Sequence, residues 1–213
     1  MGKGSVSKRS IIYIDGFNLY YGAVKGTKWK WLDVEHFFSM LRQDDDIQVI
    51  KYFTAEIDGP HRFHQRAYLL ALATLPKIQI ILGRFKLKQV QCRVQDCSYV
   101  GSRFFSIPEE KRTDVNIAVH MLQDTIMDKC DRLVVVSGDS DLVPAVNMVK
   151  RLDSRKKIIV YVPASNLLRG AAVELRSAAD KNRTLPNSLL PKSQFPPRVP
   201  DGTGGWITKP DNW

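Results

Sequence analysis

Leu133-Val134-Val135-Val136-Ser137-Gly138-Asp139-Ser140-Asp141 is an unbroken apolar run, β-branched after its first residue, that stops at Ser-Gly and releases two carboxylates one residue apart. Such a run suits a parallel strand buried on both faces. Gly138 allows a sharp exit from the strand. Asp139 or Asp141 is placed to cap a helix expected over residues 142–152, where Pro144 falls in the tolerant first turn. Ligands of open α/β sheets collect beyond the carboxyl ends of the strands. Two acids at such a place are costly unless a cation shares them.

A turn aspartate beside an N-cap would account for one Gly-Asp-x-Asp, but a second strand ends the same way. Ile11-Ile12-Tyr13-Ile14 runs into Asp15-Gly16-Phe17-Asn18. A third acid, Asp114, opens the helically spaced segment Asp114-Val115-Asn116-Ile117-Ala118-Val119-His120-Met121-Leu122. Three element ends each bring a carboxylate toward what can be one place, a pattern suited to a hard divalent metal.

Strands expected over residues 10–14, 47–54, 77–82, 131–137 and 156–162 alternate with helices over 34–42, 61–75, 113–129, 142–152 and 166–179. That order predicts an α/β fold: a doubly wound, mainly parallel five-stranded sheet with right-handed crossovers and helices on both faces. One domain is expected over residues 10–183, with residues 1–9 as a frayed tail. Residues 19–21 begin a helical turn, residues 22–30 read as a loop, and Asp44-Asp45-Asp46 reads as a solvated turn. The His61-x-x-His64 pair, on a basic helix start, reads as surface.

Residues 83–112 interrupt the alternation with seven cations against three acids, a net +4, and with interleaved aromatics. A basic hairpin is expected, pairing residues 84–91 with a strand near 97–101. Cys92 and Cys97 lack the second ligand pair that structural zinc requires. Residues 184–213 carry six prolines with Leu189, Leu190, Phe195, Val199, Trp206, Ile207 and Trp213. That mixture predicts an extended strap lying on the body, without helix or central strand.

Over 213 residues the net charge is +10 and the pI about 9.6, an excess that points to polyanionic partners. No basic amphipathic helix with a clean apolar face favours a membrane surface, and no run approaches transmembrane length. The first ten residues lack the apolar core of a signal peptide, so a cytoplasmic location is expected. Three cysteines, an odd number, do not make a disulfide framework.

Hydrolysing a phosphodiester requires an activated water and neutralised charge at phosphorus, and divalent metal supplies both. Asp15, Asp114, Asp139 and Asp141 offer the oxygen ligands that Mg2+ or Mn2+ prefers. Their mutual repulsion should raise the pKa of one or more. Arg84, Lys86, Lys88, Arg103, Lys111 and Arg112 are candidates to hold a phosphate backbone. Phe17, Tyr20, Tyr21, Trp29 and Trp31 are either stacking surfaces for unpaired bases or fillers of core and loops.

Taken together, Tyr13-Ile14-Asp15-Gly16-Phe17-Asn18, Thr113-Asp114-Val115-Asn116 and Ser137-Gly138-Asp139-Ser140-Asp141 resemble the NYN domain, LabA-like branch of the PIN-like nucleases, over about residues 10–180. The resemblance implies metal-dependent ribonuclease chemistry; it carries no substrate over, and single-stranded or structured RNA is the expectation here. It implies that Asp15, Asp114, Asp139 and Asp141 bind the metal, with Asn18 supporting Asp15. Ser137 is expected to support the cluster in the same way. Related folds often pair, which leaves a homodimer open. The rival from another class is an RNA-binding or regulatory scaffold that kept the fold and lost turnover. A nucleotide phosphatase is disfavoured, because Asp15-Gly16-Phe17 lacks the Asp-x-Asp expected after its first strand.

Overall fold

The computed structural model describes residues 7–164, 172–211 and 213. Its centre is a parallel sheet of β1 (Lys8–Asp15), β2 (Asp45–Thr54), β3 (Ile78–Leu82), β6 (Arg132–Val136), β7 (Lys157–Val162) and β8 (Lys181–Thr184). The order is β3-β2-β1-β6-β7-β8. The chain winds outward from β1 to β3, returns to lay β6 against the other side of β1, and winds outward again. The switch point of this doubly wound sheet is therefore the β1/β6 pair, where Ile11 to Ile14 lie beside Leu133 to Val136. A crevice outside the carboxyl ends follows from that reversal.

The strands' period of two sorts side chains onto two cores. Ile12, Ile14, Val134 and Val136 face one side, against α2 (Val34–Leu41) and α3 (Arg62–Ala73). Ile11, Tyr13, Leu133 and Val135 face the other, against α4 (Thr113–Ile126), α5 (Val143–Leu152) and α6 (Val173–Ala178). Asp33 caps α2 by accepting from the His36 N–H at 2.8 Å, and Pro144 sits in the first turn of α5.

A polar tie fixes α4 to the sheet. The carboxylate of Asp124, fully buried, accepts from the Tyr13 hydroxyl at 2.8 Å and from Lys51 Nζ at 2.5 Å. Breaking one member would leave a buried charge uncompensated, the costly case for an internal ion pair. The tie sits toward the end of the helix whose first turn carries Asp114.

Several expectations are corrected. The sheet has six strands, not five, because Lys181–Thr184 pairs with β7 instead of ending the last helix. Its lysine and arginine suit an exposed edge. The part of the expected last helix over residues 165–171 lies outside the described residues. Lys8 and Arg9 belong to β1 rather than to a frayed tail, because the Arg9 guanidinium binds Asp131 at 2.9 Å; residues 1–6 lie outside the description. Asp45 is no solvated turn residue: it enters β2, and its carboxylate is held by Arg42 at 2.8 Å and by Arg132. Gly22 belongs to a π-helical turn, Tyr20–Val24, that extends α1 (Gly16–Leu19).

In the insertion, β4 (Arg84–Gln91) pairs antiparallel with β5 (Phe104–Lys111), not with residues near 97–101. The observed register makes one ladder from Arg84↔Lys111 to Gln91↔Phe104, ending where α4 begins. Pro108 is tolerated because a two-stranded ribbon leaves alternate N–H positions facing outward.

The C-terminal strap covers the α2/α3 face. Leu185, Leu190, Phe195 and Val199 are buried in that core beside Ile159 and Tyr161. It is less featureless than expected: a 3-10 turn, Asn187–Lys192, accommodates Pro191, and β9 (Arg198–Pro200) pairs with β10 (Trp206–Thr208) apart from the main sheet. Trp31, a candidate stacking surface for bases, is instead fully buried and donates from Nε1 to the Pro196 carbonyl at 2.8 Å. Trp29 packs partly buried against the same core. Trp31→Ala is expected to lower the unfolding free energy by about 3–5 kcal/mol, read as a shift in urea midpoint at unchanged slope.

Candidate metal centre

The first acid follows β1 directly into a helical turn. Asp15 is buried and caps α1: its Oδ1 accepts from the Asn18 N–H at 2.9 Å. Its Oδ2 accepts from Asn18 Nδ2 at 2.6 Å and from the Ser137 hydroxyl at 3.2 Å. Asn18 in turn accepts the Gly138 N–H on Oδ1 at 3.1 Å, so one side chain clasps the ends of β1 and β6 across the switch point. Ser137 Oγ also accepts the Asp139 N–H at 3.1 Å. The Asp139 carboxylate then turns the chain by accepting from the Asp141 N–H at 2.9 Å.

Glycine is required at Gly16. A Cβ there would stand 2.8 Å from the Phe53 carbonyl and from the Tyr52 ring. Asp114 arrives from another direction, in the first turn of α4. Arg112, immediately before that helix, has φ 82°, a left-handed conformation unusual for a side chain this bulky. That strained link turns the ribbon into α4 and sets where Asp114 falls.

Asp114, Asp139 and Asp141 form one group, each offering a carboxylate oxygen, with these atoms all within 4.8 Å of one another. Asp15 stands behind this group, its oxygens already engaged by Asn18 and Ser137. The charge of Asp139 nevertheless bears on it. Burial pushes the Asp15 carboxyl above the ordinary range, against the lowering effect of its hydrogen bonds. Burial, then Asp139, Asp15 and Asp141, raises the Asp114 carboxyl to about 6.

Glu110, at the end of β5, is the residue sequence reasoning missed. Its carboxyl is pushed up to about 7, first by burial and then by the charges of Asp15 and Asp114, although the Thr113 hydroxyl donates to it. The available signal was an acid at a strand end just before the Thr113-Asp114 helix start. Among the described residues no lysine, arginine or histidine pairs with Asp15, Glu110, Asp114, Asp139 or Asp141. Clustered carboxylates without a counter-cation, offering only oxygen donors, fit a hard divalent ion.

The six basic candidates are all exposed. Register places Arg84, Lys86, Lys88 and Lys111 on one face of the ribbon, and Phe85 and Glu110 on the other. The Phe85 face meets the centre, its ring edge-on to Phe17 with centroids 5.6 Å apart. The basic face therefore points away from the acids, and Glu109 shares two of its cations, Lys111 at 3.0 Å and Lys88 at 3.7 Å. Arg103 precedes β5, and Arg112 occupies the strained link. Cys92 and Cys97 are free thiols at the far end of the ribbon. His61 and His64 lie outside the acid group, with ring centroids 5.9 Å apart.

Because the folded state holds the Asp114 and Glu110 protons more tightly than an unfolded chain, its stability without divalent ion falls as pH rises from about 4 to about 7. Melting temperature against pH in a chelator should show this decline. Glu110→Gln should flatten its upper part.

Three comparisons place the chain among known proteins. The profile of the NYN domain matches residues 9–186. A 6-hydroxy-3-succinoylpyridine 3-monooxygenase of Pseudomonas putida is 32% identical over an alignment covering 96% of this chain and 75% of that protein. The crystal structure of a Vibrio parahaemolyticus protein of unknown function superposes with a TM-score of 0.56 at 19% identity, covering 86% of this chain and 96% of the other. That last likeness concerns the fold alone.

Proposed function

Because the chain belongs to the NYN domain family, we propose that it is a metal-dependent endoribonuclease that hydrolyses phosphodiester bonds of single-stranded or structured RNA. The observation that carries this reading is the convergence of Asp114, Asp139 and Asp141 oxygens within 4.8 Å at the switch point. Mg2+ or Mn2+ would be held by these three, with Asp15 completing the charge behind them. Such an ion, when bound, lowers the pKa of a water and neutralises phosphate charge.

The remaining work falls to the chain. Asn18 and Ser137 hold Asp15 and the Gly138-Asp139 turn in fixed relation, so the acids need not reorganise when charge arrives. Glu110 adjoins the same acids, since the charges of Asp15 and Asp114 bear on its carboxyl, and would release its proton as an ion offsets that repulsion. The outward basic face of the ribbon takes flanking RNA backbone rather than the scissile phosphate, since it points away from the acids. The name of the Pseudomonas putida relative describes oxygenation of a pyridine compound. The grouped donors here are carboxylates without imidazole, a set that favours hard ions and hydrolysis over oxygen-activating iron.

Labelled RNA incubated with Mg2+ or Mn2+ should be cut by the parent protein. Asp139→Asn should abolish the product while retaining salt-sensitive RNA binding, and Asn18→Ala should lower metal affinity or rate by about 10–100-fold. RNA left intact by the parent with either ion, or cut equally well by Asp139→Asn, overturns the assignment. Each of Arg84→Gln, Lys86→Gln and Lys111→Gln should reduce the salt slope of RNA binding by about one without moving the cleavage site.

A further inference from the structure

A cavity of about 360 Å³ opens beside the acid centre, between α1 with its π-helical extension and α3. This volume falls in the range of small-molecule sites, roughly 300–1,000 Å³. Phe17, Tyr20, Tyr21, Tyr52, Tyr68 and Trp213 give it aromatic walls. Trp213 is fixed there, stacked on His64 with centroids 5.8 Å apart and edge-on to Tyr68 at 5.5 Å. Tyr52 belongs to the cavity and also feels the charge of Asp15, so the two sites share a wall.

The lining is selective as well as apolar. Lys30, His61 and His64 contribute to it, and among the described residues no carboxylate does. Flat aromatic walls favour a flat π-system, through offset or edge-to-face packing. The Lys30 ammonium at this lining favours negative charge on the occupant. A π turn beside a cavity is in keeping with where such turns occur, since they concentrate at functional sites.

We propose that this cavity binds a flat heteroaromatic ring carrying an anionic arm, with the ring among the tyrosines and the arm toward Lys30. Two sources have this chemistry: one nucleotide of an RNA chain, its base unstacked beside the cleavage centre, or a free heterocyclic acid. Both are decided by binding without metal, so the outcome is independent of whether the acid centre hydrolyses RNA.

The full chain, in chelator, is titrated by calorimetry and tryptophan fluorescence with adenosine and uridine monophosphates, and separately with 6-hydroxynicotinate. Saturable binding of at least one probe is expected. Lys30→Glu should weaken it by about tenfold or more, while the uncharged nucleoside or pyridine amide loses little. Tyr21→Ala, at a ring already 60% exposed, should weaken charged and neutral probes alike without unfolding the protein, as circular dichroism would confirm. Nucleotide binding assigns the cavity to RNA, and binding of the pyridine acid alone assigns it to a small molecule. No saturable binding of any probe, or binding unchanged in both variants, overturns the proposal.

Discussion

Five carboxyl groups, Asp15, Glu110, Asp114, Asp139 and Asp141, gather at one rim of the sheet with no cationic side chain among the described residues to pair with them. Their repulsion opposes folding, and the rest of the architecture must hold them there. Two devices do so. The Asn18 clasp joins the ends of β1 and β6, and the Tyr13–Asp124–Lys51 tie anchors α4, whose first turn carries Asp114. The clasp holds Asp15 directly and the tie acts at the other end of α4 from Asp114, and both set how far apart the acids stand. Burial and repulsion of this kind raise the carboxyl pKa values, as at Asp114 and Glu110.

The overall charge of +10 has a different distribution from the centre it serves. The negative rim and the basic ribbon face are separated by the thickness of the ribbon itself, with Phe85 and Glu110 inward and Arg84, Lys86 and Lys111 outward. A polyanion drawn to the outward face must wrap around the ribbon to reach the acids. Long-range attraction and local chemistry thus occupy different surfaces, and the first is screened by salt far more than the second.

The β1 and β6 strand ends were legible in the sequence because both are apolar runs broken at Asp-Gly or Gly-Asp, where pattern and turn chemistry agree. Asp114 was legible from a helical period starting at an acid. Glu110 was not, although it lies only four residues before Asp114: which face of the ribbon it takes depends on the Phe85↔Glu110 register, and pairing across twelve loop residues leaves little local trace. The sixth strand was hidden for a similar reason: Lys181-Asn182-Arg183-Thr184 is polar, and only the neighbouring β7 makes it a strand. For Trp31 the sequence left two readings open, and core filler is the one the structure bears out; the choice could not be made locally because its partners, Phe195 and the Pro196 carbonyl, lie more than 160 residues away in the strap.

The π turn over Tyr20–Val24 also fixes a direction. A helix advances about 100° per residue, from 3.6 residues per turn, and a π turn amounts to one residue more than regular winding needs. The turn takes up that extra residue locally, so removing one position would leave the residues on either side with nearly the same bearings and return only the segment itself, Tyr21 and Val24 included, to ordinary helical positions. Asp15 and Asn18, which precede the irregularity, are untouched by its length. One short stretch thus shapes the cavity wall beside the centre while the acids stay where they are.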